Sequence, residues 1–157
     1  MPPPRGTWNP IEGPGDYTTT RKIHNDTYPE IDPSKADLTG KAVFISGASR
    51  GLGKAIAISY AKAGASHIAV GARSQLDEVE TSMKAAAKDA GRKQPQILSV
   101  KLEITDPQSV NDAAESIREQ FGKLDVVINN AGVIGGMKSI QDSDIDTWWQ
   151  TCMCCRA

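Results

Sequence analysis

Between Leu38 and Gln150 the sequence switches four times between a short apolar run and a longer stretch whose apolar residues recur at helical spacing. The runs are Ala42-Val43-Phe44-Ile45, His67-Ile68-Ala69-Val70, Ile97-Leu98-Ser99-Val100 and Leu124-Asp125-Val126-Val127-Ile128. Runs of this length between turn signals read as buried strands. The first intervening stretch sets Leu52, Ile56, Tyr60 and Ala63 on one face and stops at Gly64. The second sets Leu76, Val79, Met83, Ala86 and Ala90 on one face and is closed by Gly91. The third opens with Asp106 as cap and Pro107 in the first turn, presents Val110, Ala113, Ala114, Ile117 and Phe121, and ends at Gly122. A fourth helix is expected from Asp142 or Ser143, carrying Trp148 and Trp149. Strands alternating with amphipathic helices give a parallel sheet covered on both faces. Right-handed crossovers then make the fold class α/β, the N-terminal part of a doubly wound sheet with strand order 3-2-1-4.

The ends differ from this middle. Seven of the nine prolines fall within the first 33 residues, and residues 1–37 show no periodicity. They read as a flexible Pro- and Gly-rich leader, with Trp8, Tyr17, Ile23 and Tyr28 available as anchors. The chain carries 18 Lys+Arg against 19 Asp+Glu. That balance offers no basic face, so neither nucleic acid nor an anionic membrane is an expected partner. No apolar stretch is long enough to span a membrane, and the leader has no apolar core of a secretory signal. All three cysteines fall after Thr151. A cysteine-free core fits a reducing compartment, and a cytoplasmic location is expected. Cys152, Cys154 and Cys155 lack the paired spacing and the nearby histidines of a thiolate metal site. Residues 152–157 are expected to be an aberrant tail left by a frameshift, a retained intron or a mis-predicted exon junction, with a metal or redox site as the competing reading.

Chemistry enters at Ser46-Gly47-Ala48-Ser49-Arg50-Gly51-Leu52-Gly53, between the first strand and the first helix. That is the context in which a glycine triplet binds a dinucleotide. Gly47 permits a tight turn, Gly51 lets the backbone approach a pyrophosphate, and Gly53 lets the helix pack close to the sheet. The free N–H groups at the helix start then face the phosphates, helped by the helix dipole.

The spacing Gly-x3-Gly-x-Gly resembles the short-chain dehydrogenase/reductase family of Rossmann-like proteins, with Ser46 where the family motif has threonine. Asn129-Asn130-Ala131-Gly132 after the fourth strand, and Leu102-Glu103-Ile104-Thr105-Asp106 after the third, resemble two further elements of that family. The likeness covers about residues 38–151, a partial NAD(P)-binding domain. It implies that Gly47, Ser49, Arg50, Gly51, Leu52 and Gly53 line the phosphate and ribose side. It implies that Glu103, where the family has aspartate, meets the adenine amino group, with Ile104 against the adenine ring. Asn130, Ala131 and Gly132 would pass beside the cofactor ribose, while Asn129 would tie the central strands together.

Cofactor choice follows from charge. NAD-type sites place an acid at the end of the second strand for the ribose 2′-hydroxyl. Here Gly71-Ala72-Arg73-Ser74 offers none, and Asp77 already belongs to the next helix. Arg73, with Arg50 reaching from the glycine loop, suits a 2′-phosphate instead, so NADP is expected ahead of NAD. The family's reaction moves hydride between NADP(H) and a ketone or alcohol, and its proton comes from a Tyr-x3-Lys pair beside a serine. This chain has no such pair: Tyr17 is followed four residues on by Arg21, Tyr28 by Asp32 and Tyr60 by Gly64. The expectation is an oxidoreductase by descent, represented by its cofactor-binding half and inactive as written. The alternatives are a non-catalytic dinucleotide-binding module and a non-functional truncated product. A small carbonyl or alcohol substrate is expected only for a longer form, with the residues from Val133 to Ser139 nearest to it. The oligomeric state is left open.

Overall fold

A computed structural model of the chain describes residues 27–133 and 139–154. The expectations for residues 1–26, for 134–138 and for Cys155 onward lie outside the described residues. The chain divides into two units, Met1–Asp32 and Pro33–Ala157. The described part of the first holds one 3-10 turn, Pro29–Ile31, in which the Ile31 N–H donates to the Tyr28 carbonyl at 3.0 Å. The second unit begins with another such turn, Pro33–Lys35. Residues 33–37 fall in this second unit. Arg92 holds them, its Nη2 donating to the carbonyls of Ser34 and Ala36 at 2.8 and 2.7 Å.

The elements then follow in the expected alternation: β1 (Ala42–Ser46), α1 (Gly51–Lys62), β2 (His67–Ala72), α2 (Asp77–Asp89), β3 (Gln96–Lys101), α3 (Pro107–Phe121), β4 (Val126–Ile128) and α4 (Ile145–Cys154). The strands pair in parallel in the order β3-β2-β1-β4, as right-handed crossovers require. α1 and α2 cover one face and α3 the other. Along β1 the side chains alternate between these layers. Val43 and Ile45 lie fully buried with Ile68, Val70, Val79 and Met83, while Phe44 packs with Leu98, Val100, Leu102 and Ala113. α3 begins and ends as its sequence requires. Asp106 accepts the Gln108 N–H at 3.0 Å, and Gly122 closes the helix with φ of 72°. α4 starts slightly later than expected, because Asp144, not Asp142 or Ser143, accepts the Thr147 N–H at 2.8 Å. Cys152, Met153 and Cys154 continue that helix.

The buried face of α1 matches the expected one only in part: Ala63 is buried as expected, and Leu52 is not. Gly53, Ala57 and Ala61 face the sheet, Leu52 is 70% exposed, and Ile56 and Tyr60 lie half-buried at the flank. A ridge of residues with little or no side chain lets the helix axis approach β1 closely. Branched residues there would hold α1 away from the glycine loop that precedes it. Periodicity alone favours the larger side chains, whereas close packing selects the smaller ones.

Two features concern β4. It pairs only with β1 among the described residues, and Val127 on it is 56% exposed. Beside it lies an apolar hollow of about 260 Å³ between the sheet and α3, lined by Phe44, Ile104, Val110, Ala114, Leu124 and Val127 among others. At the strand's start, Asp125 accepts the Ala42 N–H at 2.8 Å and a contact from Lys123 at 3.0 Å. The Ala42 N–H, with Lys123 and then Lys41 beside it, lowers the Asp125 carboxyl to about 2.

A carboxyl whose pKa falls on folding stabilises the fold above its unfolded value of about 3.9, and that contribution fades as the pH drops through its folded value. Asp125→Asn is therefore expected to lower Tm by a few degrees at pH 7 and to match the parent as pH approaches 2. Thermal melts at both pH values check this, and equal melts at pH 7 would contradict it. Unpaired apolar edges invite association. Val127→Lys is accordingly expected to raise the monomeric fraction in light scattering while leaving the circular dichroism spectrum unchanged.

Candidate functional site

The chain leaves β1 at Ser46 and turns through Gly47 into α1. The N–H groups of Gly47 and Ala48 both donate to the Gly71 carbonyl, at 2.7 and 3.2 Å, which pins the loop to β2. Gly47 has φ of 67°, and a Cβ there would come within 2.7 Å of the Ala131 Cα. Gly53 admits no side chain either: a Cβ would press on the Gly47 carbonyl oxygen and lie 2.5 Å from Nδ2 of Asn130. Gly51 is different. Its φ is 58°, and a Cβ would meet nothing within 4 Å. The space over Gly51 is open, whereas the other two glycines are hemmed in by protein. Arg50 precedes α1 in extended conformation, and no side chain caps the helix start.

The ends of β1 and β4 are knotted together. The Ser46 hydroxyl accepts the N–H groups of Asn130 and Ala131 at 3.0 and 3.1 Å and donates to the Ile128 carbonyl at 3.3 Å. Asn130 returns the link, its Nδ2 donating to the carbonyls of Ser46 and Gly47 at 3.0 and 3.2 Å. Ser46 is 4% exposed. The strand-tying role expected of Asn129 thus falls to Asn130. Asn129 is exposed and lines the apolar hollow on the α3 face. Two adjacent asparagines at a strand end point to opposite faces, and only the second faces the glycine loop.

These links frame a cleft of about 410 Å³ at the carboxyl ends of β1, β2 and β4. Gly47, Ser49, Arg50, Gly51, Leu52 and Gly53 line it from the loop, Arg73 from the end of β2, and Asn130, Ala131 and Gly132 from the end of β4. Ala72 and Ser74, which carry no site signal in the sequence, complete the lining together with Val133, the first of the residues expected nearest a substrate. The sheet runs from β1 toward β2 and β3 on one side and to β4 on the other. The cleft therefore opens where the chain order reverses, the place where open α/β sheets bind ligands.

Glu103 and Ile104 stand outside this lining. Ile104 packs with Val100, Leu102 and Ala113. Glu103 meets the cleft through Arg73, whose Nη1 lies 3.4 Å from Oε2. Its other oxygen, Oε1, accepts the Thr105 N–H at 3.1 Å and the Thr105 hydroxyl at 2.8 Å. Those two bonds, with Arg73 adding a smaller part, hold the Glu103 carboxyl below its ordinary range.

Open space over Gly51, an uncapped helix start and two arginines suit a phosphorylated ligand with a ribose at the β2 end. A dinucleotide fits this donor set. Among the described residues no helix is long and apolar enough to cross a membrane.

Comparison with known proteins agrees with the fold. The profile of the short chain dehydrogenase family matches residues 41–155. The short chain dehydrogenase pigC of Monascus ruber is 58% identical over 150 residues, covering 96% of this chain and 50% of that protein. The chain thus spans about half the length of that relative. An alcohol dehydrogenase from the archaeon Thermococcus sibiricus, solved with 5-hydroxy-NADP, aligns at TM-score 0.58 and 30% identity over 72% of this chain and 46% of its own. Carveol dehydrogenase from Mycobacterium avium, solved with NAD, aligns at TM-score 0.61 and 26% identity over 75% and 45%.

Removing the Ser46 hydroxyl strands two N–H groups inside the protein. Ser46→Ala is expected to destabilise the fold by about 1–3 kcal/mol. Ser46→Thr keeps the hydroxyl and is expected to stay near the parent. Denaturant melts of the pair check this, and two equal losses would mean that the hydroxyl is not what matters.

Proposed function

Because this chain belongs to the short chain dehydrogenase family of oxidoreductases, we propose that its cleft binds NADP(H) in preference to NAD(H). The single observation that carries the preference is Arg73 on the cleft wall at the end of β2. That is where an NAD site needs a carboxylate to bond the ribose 2′-hydroxyl. Arg50 on the same wall adds a second cation. A pyrophosphate would be held over the open space at Gly51, by the N-terminus of α1, with Ser49, Leu52 and Gly53 lining that side of the cleft. Asn130, Ala131 and Gly132 would border the nicotinamide-side ribose, and Glu103 and Ile104, which stand outside the cleft lining, would meet the adenine end only at its margin.

When bound, NADP(H) supplies or accepts a hydride. The chain's own residues hold and orient it, while the proton for a carbonyl oxygen requires a Tyr-x3-Lys pair that these 157 residues do not contain. On this reading the 157-residue chain binds cofactor without turnover. A longer form carrying the pair transfers hydride between NADP(H) and a small ketone or alcohol, in the cytoplasm.

Titrating the purified chain with NADPH and NADH, followed by cofactor fluorescence, tests the proposal. NADPH is expected to bind tighter by about tenfold, the worth of one charge-assisted bond of modest strength. Arg73→Ala is expected to remove most of that ratio. Equal affinities in the parent would overturn the preference, and carbonyl reduction by the purified chain would overturn the absence of turnover.

A further inference from the structure

Arg73 already has a partner before any cofactor arrives. Its Nη1 faces Oε2 of Glu103, which sits thirty positions on at the end of the neighbouring strand. The carboxylate is well placed to hold it. Oε1 is fixed by both donors of Thr105, and the Glu103 N–H is fixed in turn by the Ser109 hydroxyl at 3.0 Å. Only Oε2 remains to face the guanidinium. The pair is loose and wet: the contact is 3.4 Å, and the side chains are 70% and 36% exposed. An exposed pair of this kind is weak and easily exchanged.

We infer that Glu103 is a specificity-determining residue, an internal stand-in for the 2′-phosphate that holds Arg73 in the free cleft and yields it to that phosphate on binding. The inference rests on the NADP reading above. A phosphate monoester carries a charge of about −1.5 to −2 at pH 7 and offers a guanidinium two oxygens at once. A single carboxylate oxygen at 3.4 Å competes poorly with it. A ribose 2′-hydroxyl is neutral and gives Arg73 no reason to leave. Glu103 therefore taxes the phosphorylated cofactor alone, because only that cofactor must take Arg73 away from it. The residue tempers a preference that Arg73 creates, and keeps the guanidinium ordered over the site meanwhile. An aspartate is one methylene shorter, so the length of glutamate is part of the device.

The test uses 2′,5′-ADP and 5′-AMP as probes, titrated calorimetrically into the 157-residue chain and its Arg73→Ala, Glu103→Gln and doubly substituted forms. Glutamine keeps an oxygen for Thr105 but loses the charge toward Arg73. In Glu103→Gln the affinity ratio of 2′,5′-ADP to 5′-AMP is expected to rise about threefold, in line with the strength of exposed pairs. In the Arg73→Ala background the same change is expected to leave the ratio where it was, since the effect runs through Arg73. A parent ratio of one overturns the NADP reading itself. A parent ratio above one that Glu103→Gln leaves unmoved or lowers overturns only the inference about Glu103. A rise of equal size without Arg73 also overturns it, by showing plain repulsion between carboxylate and phosphate. Thermal melts of each variant establish that the comparison is between folded proteins.

Discussion

The knot between Ser46 and Asn130 is the constraint on which the cleft depends. One hydroxyl serves three backbone groups of the β4 end, and one amide serves two carbonyls of the β1 end. Each bond alone is modest, but all lie in a region where a lost partner leaves a polar group stranded. Because the knot fixes Gly47 against Ala131, it also fixes where α1 begins. Gly53 then has to be bare, since Asn130 and the Gly47 carbonyl fill the space a side chain would take. Three positions that look like a ligand motif in sequence therefore divide by task. Gly47 and Gly53 answer to the protein, and Gly51 answers to whatever occupies the cleft.

Much of the architecture could be read before the fold was known, because it follows from period and handedness. Short apolar runs between amphipathic stretches leave one arrangement of layers, and crossover handedness leaves one strand order. The caps of α3 were equally legible, since Asp106, Pro107 and Gly122 act locally. What escaped the sequence was set by distance rather than by pattern. The face of α1 was misjudged in part because hydrophobic size competes with closeness, and Gly53, Ala57 and Ala61 win only when the sheet lies directly behind them. Asn129 and Asn130 could not be separated by type, since the difference between them is which face of the strand end each one meets. Asp125 carried no signal at all: its role is to accept an N–H from a residue 83 positions away.

Electrostatics at the cleft follow the same division. The family profile and the fold identify an oxidoreductase lineage, yet relatives of similar likeness were solved with an NADP derivative and with NAD. The scaffold alone therefore does not decide between the two cofactors. Arg73 is exposed to water, and Glu103 is tethered through Thr105 and Ser109. An exposed cation beside an anchored anion lets small changes in charge be made without disturbing the core.

The knot has one more consequence, which concerns time. β1, α1, β2, α2 and β3 follow one another along the chain and close through neighbouring crossovers. The bond from Asn130 to Ser46 spans 84 residues and the one from Ala42 to Asp125 spans 83. Contacts so far apart carry the largest loop-closure entropy, and they are rewarded late. The side of the cleft made by Asn130, Ala131 and Gly132 thus depends on contacts between segments far apart in sequence. A nucleotide that bridges both halves binds the finished state alone and draws the population toward it by mass action. The cleft is thus also a latch between distant parts of the chain, and any ligand bridging its two sides would help to keep it shut.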